Sequence, residues 1–251
     1  MSGKVALVTG AAGAIGGATA ESFGRAGARV ALTDRDEDGM ATVVDSLRAQ
    51  GVDAHGIPCD VTDYGGVCEM VTTAREHFGT IDALAHVAGG SVNKTSPFLS
   101  QDPTTWTADV QRNLLGTIYV TRAVLQRAMV VQGSGAVVLV SSDAARAGSL
   151  GEAVYSASKG GIIAFTRSMA REMARHHIRV NCVSPGPTDG DQIREAAASA
   201  PAVIAKIQSM IAMKRFGTPE EQANAIVFLC SELSSYVTGQ VLSVNGGLQM
   251  Y

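Results

Sequence analysis

The stretch Val5-Ala6-Leu7-Val8-Thr9-Gly10-Ala11-Ala12-Gly13-Ala14-Ile15-Gly16 decides the fold of this chain. Its first five residues predict a buried strand, and the small residues that follow allow a tight turn into a helix. Backbone N–H groups in such a turn, at the positive end of a helix, can approach a pyrophosphate. The stretch therefore predicts a dinucleotide-binding unit. Its candidate contacts are Gly10, Gly13, Ala14, Ile15 and Gly16.

Short apolar runs and stretches of helical periodicity alternate along the rest of the chain. Strands are predicted at residues 5–9, 29–33, 53–58, 83–87, 136–141, 179–184 and 241–245, and helices at 16–25, 37–50, 65–78 and 154–175. Continuously apolar strands indicate burial on both faces. The pattern predicts an α/β fold, a Rossmann-like doubly wound parallel sheet of about seven strands with helices on both faces. No linker-like composition shift or repeat interrupts residues 1–251, so one dinucleotide-binding and catalytic domain is expected.

The least regular stretch is 186–217, which carries Pro187, Gly190 and Pro201. Ligands of open α/β sheets bind outside the carboxyl ends of the strands. A long segment after a late strand therefore predicts a substrate lid around 187–216. A surface excursion without function is the alternative.

The composition and net charge of the chain limit the kinds of binding partner that can be expected. Apolar residues make up 46% of the chain, charged residues 17%, and the net charge is -3. These values favour a packed core and give no reason to expect nucleic acid or a membrane as partner. Residues 1–4 show no signal-peptide pattern, and four scattered cysteines fit a reducing cytoplasm. Without Cys-x-x-Cys spacing, no metal site is expected, and buried free thiols are the simplest interpretation.

Asp34 ends the second predicted strand, 24 residues after Gly10. A carboxylate at this spacing grips the adenosine ribose hydroxyls and repels a 2′-phosphate, which favours NAD over NADP. The glycine loop also lacks a cationic side chain. Arg35, next to Asp34, instead favours NADP, because a cationic side chain can pair with a 2′-phosphate. A helix N-cap role for Asp34 is the alternative.

Tyr155 and Lys159 are spaced to share one helix face, about 6 Å apart in rise. A free tyrosine has a pKa of about 10, and a nearby ammonium lowers it. A shift of about three units requires about 4 kcal/mol, which a buried charge and a cationic cofactor together would supply. Ser142, 13 residues before Tyr155, follows a predicted strand and offers a hydroxyl to the substrate oxygen. Ser141 is its rival, although its side chain should point to the opposite face.

With these motifs the chain resembles the short-chain dehydrogenase/reductases over essentially its whole length. The family's Thr-Gly-x-x-x-Gly-x-Gly turn matches residues 9–16, with Ala14 in place of the middle glycine. Residues 217–221, 238–240 and 245–247 match its C-terminal end. The resemblance implies that Asn113, Ser142, Tyr155 and Lys159 are catalytic. It also implies cofactor contacts at Asp60, Val61, Ala88, Gly89, Tyr155, Lys159, Pro185, Gly186 and Thr188, besides Asp34 and Arg35.

Two departures from the family pattern matter. Its Asn-Asn-Ala-Gly reads His86-Val87-Ala88-Gly89 here. A structural role for His86 is favoured over a catalytic one. The family's threonine five residues after Pro185 is Gly190, so its contact with the nicotinamide carboxamide is expected to pass to Thr188.

The resemblance implies hydride exchange between a nicotinamide and a secondary alcohol or ketone. In it Tyr155 moves the proton, Lys159 holds the nicotinamide ribose, Ser142 orients the substrate oxygen, and Asn113 supports a relay water. Residues 142–155 are similar to those of 2-hydroxycyclohexanecarboxyl-CoA dehydrogenases, which points to a cyclic or β-hydroxyacyl substrate, as a CoA thioester. Arg146 and Arg194 are candidates to meet its phosphate or carboxylate, and ordinary surface arginines are the alternative.

Other functions fit parts of the same pattern. A 3-oxoacyl-carrier-protein reductase shares the catalytic set but would want NADPH and a basic docking patch. A broad-specificity carbonyl reductase is a further alternative. A non-catalytic NAD-binding sensor or scaffold would be expected to lose one of the catalytic residues. By analogy with the family, a homotetramer is expected, with the apolar helix that carries Ile162, Ile163, Phe165 and Met169 as either a subunit contact or core.

Overall fold

The structure is a computed structural model that describes residues 1–91 and 95–251. Within these residues, seven strands form one parallel sheet. They are β1 (Val5–Thr9), β2 (Arg29–Thr33), β3 (Ala54–Gly56), β4 (Ala83–His86), β5 (Gly135–Val140), β6 (Ile178–Pro185) and β7 (Val241–Val244). Their order across the sheet is β3-β2-β1-β4-β5-β6-β7. The order reverses between β1 and β4, where open α/β sheets bind ligands.

The helices cover both faces of this sheet. They are α1 (Ala14–Arg25), α2 (Glu37–Ala49), α3 (Tyr64–Phe78), α4 (Trp106–Val110), α5 (Gly116–Val124), α6 (Val130–Gln132), α7 (Ala144–Ala147), α8 (Ala153–Met173), α9 (Asp191–Ser199), α10 (Pro201–Met210) and α11 (Pro219–Cys230). The π-helical turns Gln111–Leu115 and Leu125–Met129 join α4, α5 and α6 into one run. The predicted α/β doubly wound fold is confirmed.

Two layers of apolar side chains hold the helices to the sheet. Leu7, Leu84 and Leu139 point to the face covered by α3, α5 and α8. Val8 and Val138 point to the opposite face, which α1 and α11 cover. Full burial of side chains of this size contributes about 1.5–3 kcal/mol each. The period-two alternation of every strand thus fixes which residues reach each layer.

Two predicted segments differ from the structure. The strand expected at 53–58 is only Ala54–Gly56, since it lies at the sheet edge and pairs with β2 alone. The segment 187–216 is not irregular throughout, because it contains α9 and α10. Alanine has the highest helix propensity, and Pro201 occupies the first turn of α10, where its missing N–H is not needed. Both features favour helices despite the prolines.

The run Pro103–Gln132 is long and apolar enough to cross a membrane by length and composition, the only such helix within residues 1–91 and 95–251. Half of its most apolar window is buried inside the fold, with Val120 and Val124 fully buried. Its central part, α5, packs against α3. This burial is that of a core helix in a globular protein.

Helix α8 contributes to the core as well. Ile162 and Ile163 are buried between it and the sheet, while Phe165 and Met169 are half-buried. The two isoleucines therefore belong to the core, which is the alternative to a subunit contact. All four cysteines are free thiols, with Cys182 and Cys230 buried and the other two half-buried.

Candidate active site

The turn between β1 and α1 is built by glycines that approach neighbouring backbone. Gly10 has φ 70°. A Cβ on Gly16 would lie 1.9 Å from the carbonyl oxygen of Gly10, so only glycine fits there. Gly13 is the N-cap of α1 and offers no side-chain hydrogen bond. The first N–H groups of α1 are therefore left for an anion at the positive end of the helix.

Asp34 lies beside this turn. Its carboxylate accepts hydrogen bonds from the backbone N–H of Ala12 and of Asp36, both at 3.0 Å. The N-cap of α2 is Asp36, whose side chain accepts from the N–H of Gly39. The alternative interpretation of Asp34 as a helix cap is therefore wrong. Its carboxylate is instead held in a fixed position against the glycine turn.

Asp60 and Val61 follow β3 at the same edge of the sheet. One Asp60 oxygen accepts from the N–H and the hydroxyl of Thr62, and these bonds lower the pKa of the carboxyl, with a smaller contribution from Arg35. Val61 is buried against Gly116, where an added Cβ would come within 3.0 Å of it. Arg35 thus lies near Asp60, on the side of the site predicted to take the adenosine.

The segment after β4 brings two predicted catalytic residues together. Gly89 has φ 150°, and a Cβ on it would lie 2.8 Å from Oδ1 of Asn113 and 2.9 Å from Nζ of Lys159. The Asn113 side chain accepts from the N–H of Gly90 at 2.9 Å and donates to its carbonyl oxygen at 3.1 Å. Ala88 donates its N–H to the hydroxyl of Thr9. Asn113 sits in a π-helical turn, a feature frequent at functional sites.

Ser142, Tyr155 and Lys159 meet where β5 ends and α8 begins. The Nζ of Lys159 lies 5.9 Å from the centroid of the Tyr155 ring and donates to the carbonyl oxygen of Val140 at 2.9 Å. A hydrogen bond with Ser142 acts to lower the pKa of the phenol. Ser141 points the other way and donates to the backbone oxygen of Lys159 at 2.8 Å. The structure therefore favours Ser142 over Ser141 as the hydroxyl that faces the phenol.

The pKa of the phenol does not follow the expected direction. Burial raises the pKa of Tyr155 to about 12, and the hydrogen bond from Ser142 offsets this only in part. Burial also lowers the pKa of Lys159 to about 8. The ammonium is 2% exposed and remains largely charged at neutral pH. In the protein alone, desolvation and the carboxylates of Glu152 and Asp109 raise the pKa of the phenol by more than the hydrogen bond with Ser142 lowers it, so the expected acidification is absent.

His86 replaces the family's first asparagine as a brace between two strands. Its Nδ1 lies 2.9 Å from the hydroxyl of Thr9, which also accepts from the N–H groups of Val87 and Ala88. Burial lowers the pKa of His86 to about 3, so the ring is neutral. This arrangement supports the structural interpretation of His86. Sequence reasoning did not single out Thr9, although its place directly before Gly10 puts it at the strand end.

The turn after β6 is also shaped by close packing. A Cβ on Gly186 would lie 2.6 Å from the Cβ of Asn245. The Thr188 hydroxyl donates to the carbonyl oxygen of Gly186 at 3.0 Å and accepts from Gln222 at 3.1 Å. Gly190 lies against Ala14 of the glycine turn, 3.6 Å from the Ala14 Cβ to the position of an added Cβ. Since the proton of Thr188 is already used, this hydroxyl can offer a carboxamide only an acceptor.

The two arginines predicted to meet an anionic substrate have other partners. Arg146 donates to the hydroxyl of Ser243 at 2.9 Å, and its guanidinium lies 3.7 Å from the centroid of the Tyr251 ring. Arg194 pairs with Asp189 at 3.3 Å, with both side chains more than half exposed. The contact of Arg194 favours the alternative of an ion-paired surface arginine, whereas Arg146 is half-buried and packs against Tyr251.

Comparison with known proteins agrees with this geometry. A family model described as enoyl-(acyl carrier protein) reductase matches residues 10–249. The chain is 36% identical to the 3-oxoacyl-[acyl-carrier-protein] reductase of Aquifex aeolicus, covering 99% of this chain and 98% of the relative. It is 34% identical to the 2,3-dihydroxy-2,3-dihydro-p-cumate dehydrogenase of Pseudomonas putida, covering 100% and 96%. An actinorhodin polyketide ketoreductase solved with NADPH superposes with a TM-score of 0.93 at 32% identity, covering 99% and 98%.

These likenesses run the full length of the chain and agree with a glycine turn, a phenol and an ammonium at one edge of a parallel sheet. They define an oxidoreductase that binds a nicotinamide cofactor and acts on CH–OH groups or ketones. The chain belongs to the short-chain dehydrogenase/reductase family.

Proposed function

We propose that this protein interconverts a secondary alcohol and a ketone with Tyr155 as the acid/base. The observation that carries the proposal is the half-buried phenol of Tyr155, which interacts with Ser142 and has the Lys159 ammonium one helical turn away, 5.9 Å from the centroid of its ring. In oxidation, the phenolate of Tyr155 takes the hydroxyl proton while the carbinol C–H bond breaks as hydride. In reduction, the phenol returns that proton to the ketone oxygen. Positioned acid–base catalysis of this kind is worth about 100- to 10,000-fold.

The other residues position and charge this centre. Ser142 offers the substrate oxygen a hydroxyl fixed by the N–H of Ala144 at 3.2 Å. Lys159 keeps a positive charge at the site. The Asn113 side chain accepts a hydrogen bond from the N–H of Gly90 and so fixes the bend at Gly89 and Gly90, which packs against both Asn113 and Lys159. When bound, an oxidised nicotinamide would supply the hydride acceptor and a positive charge, and Tyr155 and Lys159 are among the residues that would hold it. That charge acts in the direction that lowers the pKa of Tyr155 from about 12.

We propose NAD as the preferred cofactor. Asp34 occupies the place of a ribose-binding acid, and two backbone N–H groups keep its carboxylate there. A 2′-phosphate would meet this negative charge. The positive charge of Arg35 contributes to the lowered pKa of Asp60, so Arg35 lies on the adenosine side of the site. It is the contact that the 2′-phosphate of NADP would use. The NADPH bound by the polyketide ketoreductase makes the preference of this chain worth measuring directly.

The test is the ratio of kcat/KM for NADH and NADPH in the wild type and in Asp34→Ala. We expect the wild type to favour NADH and the variant to shift the ratio toward NADPH by about tenfold or more, equivalent to about 1.4 kcal/mol. Arg35→Ala is the matched control, and it should shift the ratio in the opposite direction. A wild type that favours NADPH, with no shift in Asp34→Ala, would contradict the proposal.

For the substrate we propose a 3-oxoacyl or 3-hydroxyacyl thioester. The Aquifex relative is a 3-oxoacyl-[acyl-carrier-protein] reductase, and residues 142–155 are similar to those of dehydrogenases that act on a cyclic β-hydroxyacyl-CoA. A ketone β to a thioester is the chemistry common to both. Reduction of a 3-oxoacyl-carrier protein has the stronger support, because relatives named for that activity match over the whole chain. Together with the proposed preference for NAD, this means that NADH replaces the NADPH expected for such a reductase.

Steady-state reduction of three matched ketones separates these possibilities. They are one 3-oxoacyl group on acyl carrier protein, the same group on CoA, and a simple cyclic ketone. We expect both thioesters to exceed the cyclic ketone in kcat/KM by at least about 100-fold. A clear excess of the carrier-protein form over the CoA form would identify the carrier. Equal efficiency with the simple ketone would replace the thioester proposal by a broad-specificity carbonyl reductase.

The segment 187–216 is proposed to act as the substrate lid. The two ends of the segment are joined by a parallel β-bridge between Thr188 and Gly217. In this bridge the N–H of Asp189 donates to the carbonyl oxygen of Gly217, and the N–H of Gly217 donates to that of Pro187. Val203 and Met210 expose more than half of their side chains on α10. Met210→Ser should raise KM for a long acyl substrate and leave NAD affinity unchanged. An unchanged KM would contradict a lid role.

The proposal for assembly rests on the family resemblance, and the proposal for location rests on the four free thiols, which fit a reducing compartment. We propose a homotetramer in the cytoplasm. Light scattering coupled to gel filtration tests the assembly, and a mass near that of one or two chains would contradict it. Fractionation of the source cells tests the location.

A further inference from the structure

Asp143 follows the proposed catalytic Ser142 directly and is almost completely buried, with 5% exposure. One carboxylate oxygen accepts from the hydroxyl of Ser243 at 2.9 Å. The other accepts from the side-chain amide of Asn245. The backbone N–H of Asp143 donates to the carbonyl oxygen of Pro185 at 2.9 Å. One residue thus joins the carboxyl ends of β5, β6 and β7.

The partners of Asp143 are themselves fixed. Ser243 also accepts from Arg146, on the short helix α7 that begins one residue after Asp143. Asn245 packs against Gly186 and donates to the carbonyl oxygen of Gln249. The network therefore connects the loop that carries Ser142 to the turn after β6 and to the C-terminal segment.

We infer that Asp143 is a positioning residue that sets the place of the Ser142 hydroxyl relative to Tyr155. The inference rests on the proposed function, since it gives Ser142 a role in the reaction. A carboxylate accepts both donors with charge-assisted hydrogen bonds, which are about twice as strong as neutral ones. Ser142 is the next residue along the chain, and a displacement of the Asp143 backbone displaces it as well.

The size of the expected effect follows from geometry. A misplacement of about 1 Å at a reacting group costs about 100-fold in rate. Loss of both side-chain bonds in Asp143→Ala should therefore lower kcat by about 10- to 100-fold. Asp143→Asn keeps one acceptor oxygen and loses the other, so it should fall between the wild type and Asp143→Ala. Neither variant touches the glycine turn, and NADH affinity measured by fluorescence should stay within about twofold.

The deciding experiment combines Asp143→Ala with Ser142→Ala. If Asp143 acts through the serine, Asp143→Ala lowers kcat in the wild-type background and has no further effect when Ser142 is already alanine. Equal losses in both backgrounds would show a general structural role and overturn the inference. An unchanged kcat in Asp143→Ala would overturn it too. Normal turnover in Ser142→Ala alone would instead remove the serine from the proposed function, and the inference with it.

Ser243→Ala keeps the test valid if Asp143→Ala does not fold. This variant removes one donor and no charge, and it should lower kcat severalfold with the same dependence on Ser142. Asp82→Ala is the matched control, because Asp82 also bridges strands but at the opposite edge of the sheet, where it accepts from Val5 at 2.9 Å. It should lower stability and leave kcat unchanged in both backgrounds.

Discussion

The two edges of the sheet are built from the same strands but in opposite ways. At the carboxyl edge, Lys159 and Asp143 are buried charged groups with at most 5% exposure, and each is held by hydrogen bonds. At the amino edge, Lys4 and Asp82 form a partly exposed pair at 3.4 Å beside a cleft of about 700 Å³. Burying a charge costs several kcal/mol unless it is paired or hydrogen-bonded. At the carboxyl edge, hydrogen bonds therefore offset the cost of burying two charged groups, whereas the amino edge leaves its ion pair partly exposed to solvent.

The largest effect is expected at the glycine turn. Gly16→Ala would place a Cβ 1.9 Å from the carbonyl oxygen of Gly10, so α1 has to shift. Overpacking costs about 1–3 kcal/mol, and moving the N–H groups by about 1 Å should lower kcat/KM for the cofactor about 100-fold. Steady-state kinetics at varied NAD concentration measures kcat/KM, isothermal titration with NAD measures the affinity, and denaturant unfolding measures the loss of stability. Gly51→Ala, at a turn with no atom within 4 Å of the new Cβ, should lose stability only.

A cofactor affinity of Gly16→Ala equal to that of Gly51→Ala would contradict the assignment of this turn. It would also mean that the carboxyl edge does not differ from the amino edge in cofactor binding.

The next effect is a pH dependence of stability at the carboxyl edge. Burial lowers the pKa of His86 to about 3 in the folded protein, against 6.5 unfolded. The unfolded chain binds the proton more readily between these values, so stability falls as the pH drops through that window. Between pH 7 and pH 5 this amounts to about 2 kcal/mol. His86→Asn should remove that part of the loss, as measured by urea unfolding at both pH values.

The control for His86 is His177→Asn, an exposed residue with φ 57° where asparagine is well tolerated. It should retain the pH dependence of the wild type. Equal pH dependence in His86→Asn and the wild type would show that the buried ring does not control acid stability.

The smallest effect is expected at the amino edge. Asp82→Ala removes an exposed ion pair and one hydrogen bond to the N–H of Val5. The loss of stability should be about 1 kcal/mol. Turnover should not change, which steady-state kinetics checks. A fall in kcat beyond about twofold would mean that the two edges are coupled through the strands.

Local patterns predicted much of the carboxyl edge. The alternation of β5 distinguished Ser142 from Ser141, and the helical spacing placed Tyr155 and Lys159 on one face. The glycine turn was predicted by its position between a strand and a helix. These features depend on the geometry of a single strand, turn or helix, which follows from the spacing of residues along the sequence.

Features that depend on tertiary burial were not predicted. The raised pKa of Tyr155 reflects desolvation of the phenol by the folded chain, and spacing along a helix contains no such information. The contact of Asp143 with Ser243 joins residues 100 positions apart. The true N-cap of α2, Asp36, was missed because Asp34 and Asp36 both suit that role by residue type.

The central claim is that the phenol of Tyr155 moves the proton, and Tyr155→Phe tests it most directly. We expect kcat to fall by at least about 100-fold while NAD affinity, measured by titration, is retained. Tyr64→Phe is the matched control, since the Tyr64 hydroxyl accepts a hydrogen bond from Arg122 and is not among the predicted site residues. Near-normal turnover in Tyr155→Phe, with the protein folded and NAD bound, would contradict the account.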